Sequence, residues 1–133
     1  MATLIDSNVL IDVLQAENEW VDWSASMIAK AAERGPLVIN PIIYGEVCLG
    51  YGTIEAVDSA LPLDYYQREE LPWPAAFLAS RAFLDYRRRG GARRSPLPAF
   101  YIGAHAAIAG HTLLTRDARR YRAAFPKLRI IAP

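Results

Sequence analysis

Cysteine is almost absent from this chain of 133 residues: Cys48 stands alone. A single thiol excludes an internal disulfide and a thiolate zinc cluster, and it fits a reducing, cytoplasmic setting. Histidine is scarce too. His105 and His111 are the only two, too few for a metal pair to be argued from sequence. No apolar run approaches the roughly 20 residues of a membrane span. Asp6 and Asp12 interrupt the basic, apolar and small-residue order that a secretion signal needs. Internal repeats and low-complexity stretches are lacking as well. What remains is the expectation of a soluble intracellular protein, 53% hydrophobic, with one domain over residues 1–133 and a real core.

Net charge is close to neutral, at +1, but the two signs are segregated along the chain. Residues 1–70 carry twelve acids against Lys30, Arg34 and Arg68, whereas residues 71–133 carry twelve basic residues against Asp85 and Asp117. The basic segment suits a polyanion. The two segments suit equally well a pairing with each other, across the fold or on an oligomer surface.

Short apolar runs alternate with helical patterns. Strands are expected at 3–5, 37–40, 111–115 and 128–131, with an edge strand near Tyr65 and Tyr66. Helices are expected at 9–14 (capped by Ser7 or Asn8), 20–34, 41–50 (opened by Pro41), 53–60, 72–89, 99–109 and 117–125. Phe77, Leu78, Ala82, Phe83 and Tyr86 form the expected inner stripe of the long helix. Residues 90–98 read as a loop rich in Gly, Arg and Pro. This alternation predicts the α/β class: a central, mostly parallel sheet of four to five strands with helices on both faces.

Three acids sit where such a fold places chemistry. Asp6 ends the first strand, and the carboxyl ends of strands are where open α/β sheets bind ligands; a helix N-cap would explain it too. Asn8 is spaced to orient Asp6, while Asp12 reads as a solvated or capping carboxylate. Glu46 shares a helix face with Ile42, Ile43, Val47 and Gly50, so it must find solvent, an arginine or the pocket opened by Asp6. Asp117 follows strand 111–115 directly, after Thr115 and Arg116. An N-cap role explains Asp117 alone, and the Thr115 hydroxyl can bond a carboxylate or a water. Acids grouped in one pocket repel and raise their pKa values unless a cation neutralises them. All-oxygen ligands suit Mg²⁺ or Mn²⁺ rather than zinc. Such an ion lowers the pKa of a bound water and stabilises charge on a phosphoryl oxygen, as phosphodiester hydrolysis requires.

The chain resembles a PIN-domain ribonuclease, specifically the VapC toxin type of prokaryotic toxin–antitoxin pairs. The resemblance covers almost the whole chain, through TLIDSNVLID at the start, PIIYGEVCLG around Glu46 and PAFYIGAHAAIAGHTLLTRDARRY near the end. It implies a PIN-like three-layer fold in which acids bind Mg²⁺ or Mn²⁺ and position water for RNA cleavage. The matching positions are Asp6, Glu46 and Asp117, supported by Asn8 and Thr115. It also implies a VapB-type antitoxin lying across the acidic groove, a homodimer, and a tRNA or rRNA substrate.

One position departs from the pattern. Ala99 stands where the family usually has an acid, and a methyl group cannot ligate a metal. The residue is either natural, in a weakened member, or an inactivating change in a toxic protein; Asp85 lies on the preceding helix and is expected to face solvent. Weaker metal binding and reduced cleavage follow. Tyr86, Arg87, Arg88, Arg89, Arg93 and Arg94 lead into the same site, so that arginines can hold phosphates and Tyr86 can stack on a base. A solvated helix end explains the same arginines. Two rival functions stand beside the nuclease. One is a PIN-like module that binds RNA or a partner without cutting, which Ala99 favours. The other is a phosphotransfer domain using Asp6, which the lack of a second acid two residues later disfavours.

Overall fold

The computed structural model describes residues 1–90 and 97–133. In chain order its elements are β1 (Thr3–Ile5), α1 (Ser7–Leu14), α2 (Val21–Arg34), β2 (Leu37–Ile39), α3 (Pro41–Cys48), α4 (Ile54–Ala60), β3 (Tyr66–Arg68), α5 (Trp73–Arg88), α6 (Leu97–Ala109), β4 (Thr112–Leu114), α7 (Ala118–Ala124) and β5 (Ile130–Ile131). β1, β2 and β4 are buried along their whole length, as strands covered on both faces must be, and are aliphatic apart from Thr3 and Thr112. The five strands form one sheet in the order β3-β2-β1-β4-β5, with every neighbouring pair parallel. The expected sheet of four to five mostly parallel strands is therefore present, with all its pairs parallel.

From β1 the chain steps outward to β2 and β3, then crosses back to β4 and β5 on the other side. Right-handed crossovers consequently place α1–α4 on one face of the sheet and α5–α7 on the other. α1 lies against α2 and α3, α5 lies against α6 and α7, and α3 also meets α6. The strand order reverses between β1 and β4, and a crevice outside the carboxyl ends of strands at such a point is a preferred ligand site. The acidic segment thus builds one helical layer and the basic segment the other. Among the described residues no helix is long and apolar enough to cross a membrane.

Several local expectations need correction. α1 begins at Ser7, so Asp6, not Ser7 or Asn8, is its cap; the Asp6 carboxylate accepts the Ser7 N–H. The buried face of α5 is Ala75, Ala79 and Ala82, whereas Phe77 is 66% exposed beneath the Arg81 guanidinium. Small residues win that face because α6, its main neighbour, is also small-faced and the two helices approach closely. Phe83 and Tyr86 do turn inward, both onto the Phe100 ring. α6 starts at Leu97, two residues earlier than expected, which puts Ala99 in its first turn. Gly103, one turn further on, has no room for a side chain: a Cβ there would run into the Phe125 ring and press on Tyr121.

Candidate acidic site at the strand-order reversal

β1 and β4 pair in register through Ile5 and Leu114, so the next residues, Asp6 and Thr115, face each other across the crevice. The Asp6 N–H completes that ladder by bonding the Leu114 carbonyl. Asp6 is 4% exposed, and its carboxylate is held by a shell of donors. Oδ1 accepts from the Ser7 N–H at 2.8 Å. Oδ2 accepts from the Thr115 hydroxyl at 2.8 Å and the Tyr121 hydroxyl at 2.9 Å, with the Asn8 amide more distant at 3.4 Å. Asn8 also accepts the Arg116 N–H through Oδ1, and Thr115 accepts the Asp117 N–H. The two expected supporting residues, Asn8 and Thr115, therefore lie against Asp6 and tie α1 to the end of β4.

Glu46 finds its partner in Ser7. The Ser7 hydroxyl donates to Glu46 Oε1 at 2.8 Å while standing 3.5 Å from Asp6 Oδ1, which makes it a bridge between the two acids. Burial pushes both carboxyls above their usual range. For Glu46 the neighbouring Asp6 charge adds to that rise, and the Ser7 bond and Arg120 oppose it. For Asp6 the bonds from Thr115, Tyr121 and Ser7 oppose burial, whereas the Asp117 charge reinforces it. Asp117 occupies the N-cap position of α7 but makes no side-chain capping bond; it pairs with Arg120 at 3.3 Å and stays 41% exposed. Capping therefore does not account for Asp117. Ser7 links Asp6 to Glu46, and the Asp117 charge acts on Asp6; Asp6 is buried, Glu46 half-buried and Asp117 open to solvent. Ala99 is buried in the first turn of α6.

Arginines surround Asp117 in a neighbouring cleft that neither Asp6 nor Glu46 lines. This cleft of about 380 Å³ is bounded by Tyr86, Arg89, Asp117, Arg119 and Arg120. Of the expected RNA-contacting residues, Tyr86 and Arg89 border it. Arg87 lies over the Phe83 ring, and exposed Arg88 sits 3.9 Å from Asp85, which faces solvent as expected. Arg93 and Arg94 lie outside the described residues.

Asp12 contradicts its reading as a solvated or capping carboxylate. It is 5% exposed, bonded by the Ser24 hydroxyl and gripped by the Arg116 guanidinium through Nε and Nη2. Arg116 also covers the Trp20 ring, so α1, α2 and the end of β4 are locked together behind the acids.

The two histidines, unpromising in the sequence, meet at Glu69. His105 Nε2 and His111 Nε2 lie 3.0 and 2.8 Å from the same Glu69 oxygen, and one ligand atom from each residue falls within 4.8 Å of the others. The surrounding bonds decide how this group is used. Asn40 Oδ1 caps α3 by accepting the Ile43 N–H, so Asn40 must present its amide N–H to His105 Nδ1. That nitrogen then accepts, and Nε2 carries the proton toward Glu69. A metal-binding histidine needs the opposite arrangement, with the outer nitrogen donating. The group is a hydrogen-bonded knot between β3, α6 and β4.

Ser7, Tyr121, Arg119 and Arg120 are the site residues that sequence reading missed. Arg120 and Tyr121 follow Asp117 by three and four residues, a helical spacing that would have flagged both.

A PIN domain profile matches residues 3–126. The chain belongs to the PIN domain family. Comparison with curated proteins gives no match. Among solved structures, this PIN domain shares its fold with VapBC2 from Rickettsia felis bound to a promoter DNA fragment, with TM-score 0.77, 17% identity, and 99% and 98% of the two chains covered. VapBC-1 from nontypeable Haemophilus influenzae is similar, at TM-score 0.75, 16% identity, and 99% and 98% coverage. FitAcB from Neisseria gonorrhoeae follows at TM-score 0.68, 21% identity, and 98% and 97% coverage.

Proposed function

We propose that this PIN domain is the toxin of a VapBC-type pair and acts on RNA phosphodiester bonds at the acidic crevice, with cleavage weakened by Ala99. The carrying observation is the cleft that joins the Asp117 carboxylate to Arg89, Arg119, Arg120 and Tyr86. Cations beside an acidic site hold a phosphate backbone close to the acids, and Tyr86 offers an aromatic edge to an unpaired base. Antitoxin binding across the groove and a homodimeric assembly belong to the same reading.

The residues present fit a hard divalent ion. Their donors are carboxylate oxygens, two of which already hold protons more tightly than usual because of burial and mutual repulsion. Mg²⁺ needs only one or two protein carboxylates and retains several waters. Asp6, Glu46 and Asp117 would hold Mg²⁺ or Mn²⁺. Such an ion, when bound, supplies an acidified water and stabilises charge on the phosphoryl oxygen. The chain does the rest. Thr115 and Ser7 fix the rotamers of Asp6 and Glu46, while the cleft arginines bind and orient the strand. A non-cleaving RNA- or partner-binding module is the second reading, favoured by the buried methyl at position 99.

Cleavage of a labelled structured RNA by the unaltered chain and by Ala99→Asp, in Mn²⁺ and in chelator, separates the two. The nuclease reading expects Ala99→Asp to cut faster by about a hundredfold or more, since even outer partners of metal ligands are worth 10–100-fold. It also expects the chelator to abolish the gain. If both proteins bind RNA and neither cuts it, the binding module replaces the nuclease.

A further inference from the structure

We infer that Tyr121 is a built-in competitor for the cation at Asp6, and that its hydroxyl helps keep this PIN domain's divalent-ion affinity low. The inference rests on the proposed site and adds a control within it. A carboxylate oxygen has two acceptor directions. On Asp6, Oδ2 spends both on short bonds, from Thr115 at 2.8 Å and Tyr121 at 2.9 Å, with the Asn8 amide a third and longer contact at 3.4 Å. Oδ1 spends one on the Ser7 N–H, and the Ser7 hydroxyl gives its hydrogen to Glu46 instead. Asp6 is therefore left with a single acceptor direction, on Oδ1, among the described residues. It can engage an ion through one oxygen and not through both.

Of the two hydroxyls on Oδ2, Thr115 is committed twice, donating to Asp6 and accepting from the Asp117 N–H. Among the described residues the Tyr121 hydroxyl has Asp6 as its one hydrogen-bond partner; the residue is 2% exposed and reaches the acid from the helical layer opposite α1. Gly103 makes that reach possible, because any Cβ there would press on the Tyr121 and Phe125 rings. Gly103 lies one helical turn beyond Ala99. α6 thus lacks an acid at one position and admits a competing hydroxyl at the next turn, so both features lower the negative charge available to an ion.

The test is Mn²⁺ affinity, read by the paramagnetic resonance of free Mn²⁺ at pH 8, on the unaltered protein, Tyr121→Phe, Asp6→Asn and Ala99→Asp. Phenylalanine keeps the ring packing and removes only the hydroxyl. Tyr121→Phe is expected to bind Mn²⁺ about tenfold more tightly, the value of one hydrogen bond to a charged group. Unchanged or weaker binding by Tyr121→Phe, with Ala99→Asp gaining affinity and Asp6→Asn losing it, overturns the inference and leaves the proposed site standing. Binding that Asp6→Asn does not diminish, or no binding by any of the four, overturns the site as well. The unaltered protein gives a second readout: in fluorotyrosine-labelled protein, the resonance assigned by its loss in Tyr121→Phe should shift on Mg²⁺ titration. A resonance unmoved at saturation contradicts competition at Asp6.

Discussion

A buried acid, Asp6, and a half-buried one, Glu46, carry charge bookkeeping opposite in sign to that of the buried His105. Burial holds the His105 imidazole neutral and below its ordinary pKa, against the pull of Glu69. A histidine depressed in the fold contributes stability above its unfolded pKa of about 6.5 and loses it as pH falls. Protonation would also set a His105 N–H against the Asn40 amide and strip the cap from α3, the helix that bears Glu46. Glu69 adds in the same direction: burial raises it, but the bonds from His111 and His105 prevail and hold it below its usual range. Asp6 and Glu46 are raised in the fold, so their protonation opposes this loss at low pH. A comparison with His105→Gln cancels the acids and isolates the imidazole. Urea unfolding at pH 7 and pH 5 should show a larger loss of stability in the unaltered protein than in His105→Gln; equal losses would contradict an imidazole held neutral by burial. Neither His105 nor Glu69 was legible as a pair, because they are 36 residues apart and only the parallel sheet brings them together. Asp6 and Asp117 stood out in the sequence because each follows an apolar strand run, and Glu46 because it shares an apolar helix face.

At the scale of elements, the close approach of α6 to α7 sets the geometry of the site. Gly103 is buried where the Tyr121 and Phe125 rings lie, so Gly103→Ala should force them apart. Overpacking of this kind costs about 1–3 kcal/mol, measurable by chemical denaturation, and should weaken the Tyr121 contact with Asp6. Unchanged stability would show that the rings yield freely. The helices themselves were readable from apolar spacing and from Pro41, which occupies the first turn of α3 behind its Asn40 cap. On α5 the inward turn of Leu78, Ala82, Phe83 and Tyr86 was readable as well, and only Phe77 departs from the expected stripe. Periodicity favours the aromatic residues, yet two small-residue helices gain more by packing alanines and leaving Phe77 under Arg81. The cap of α1 is Asp6, the alternative to Ser7 and Asn8 that the sequence also allowed, and Asp6 serves as strand end, cap and site residue at once.

Across the whole molecule, the charge imbalance along the chain becomes an imbalance between layers. Among the described residues, apart from the histidine contacts to Glu69, Arg116–Asp12 is the ion pair that joins the two segments. Mutual neutralisation therefore does not absorb the basic layer, and Arg89, Arg119 and Arg120 remain at the cleft beside Asp117. Composition exposed this segregation, but only the strand order shows that the two layers meet at the acidic crevice. The central claim is that this crevice is a divalent-ion site short of one acid. Anomalous scattering from Mn²⁺-soaked crystals of Ala99→Asp tests it most directly. The expected result is a peak enclosed by Asp6, Glu46, Asp117 and the substituted position 99. A crevice without a peak, or an ion seated on Glu69, His105 and His111 instead, would contradict it.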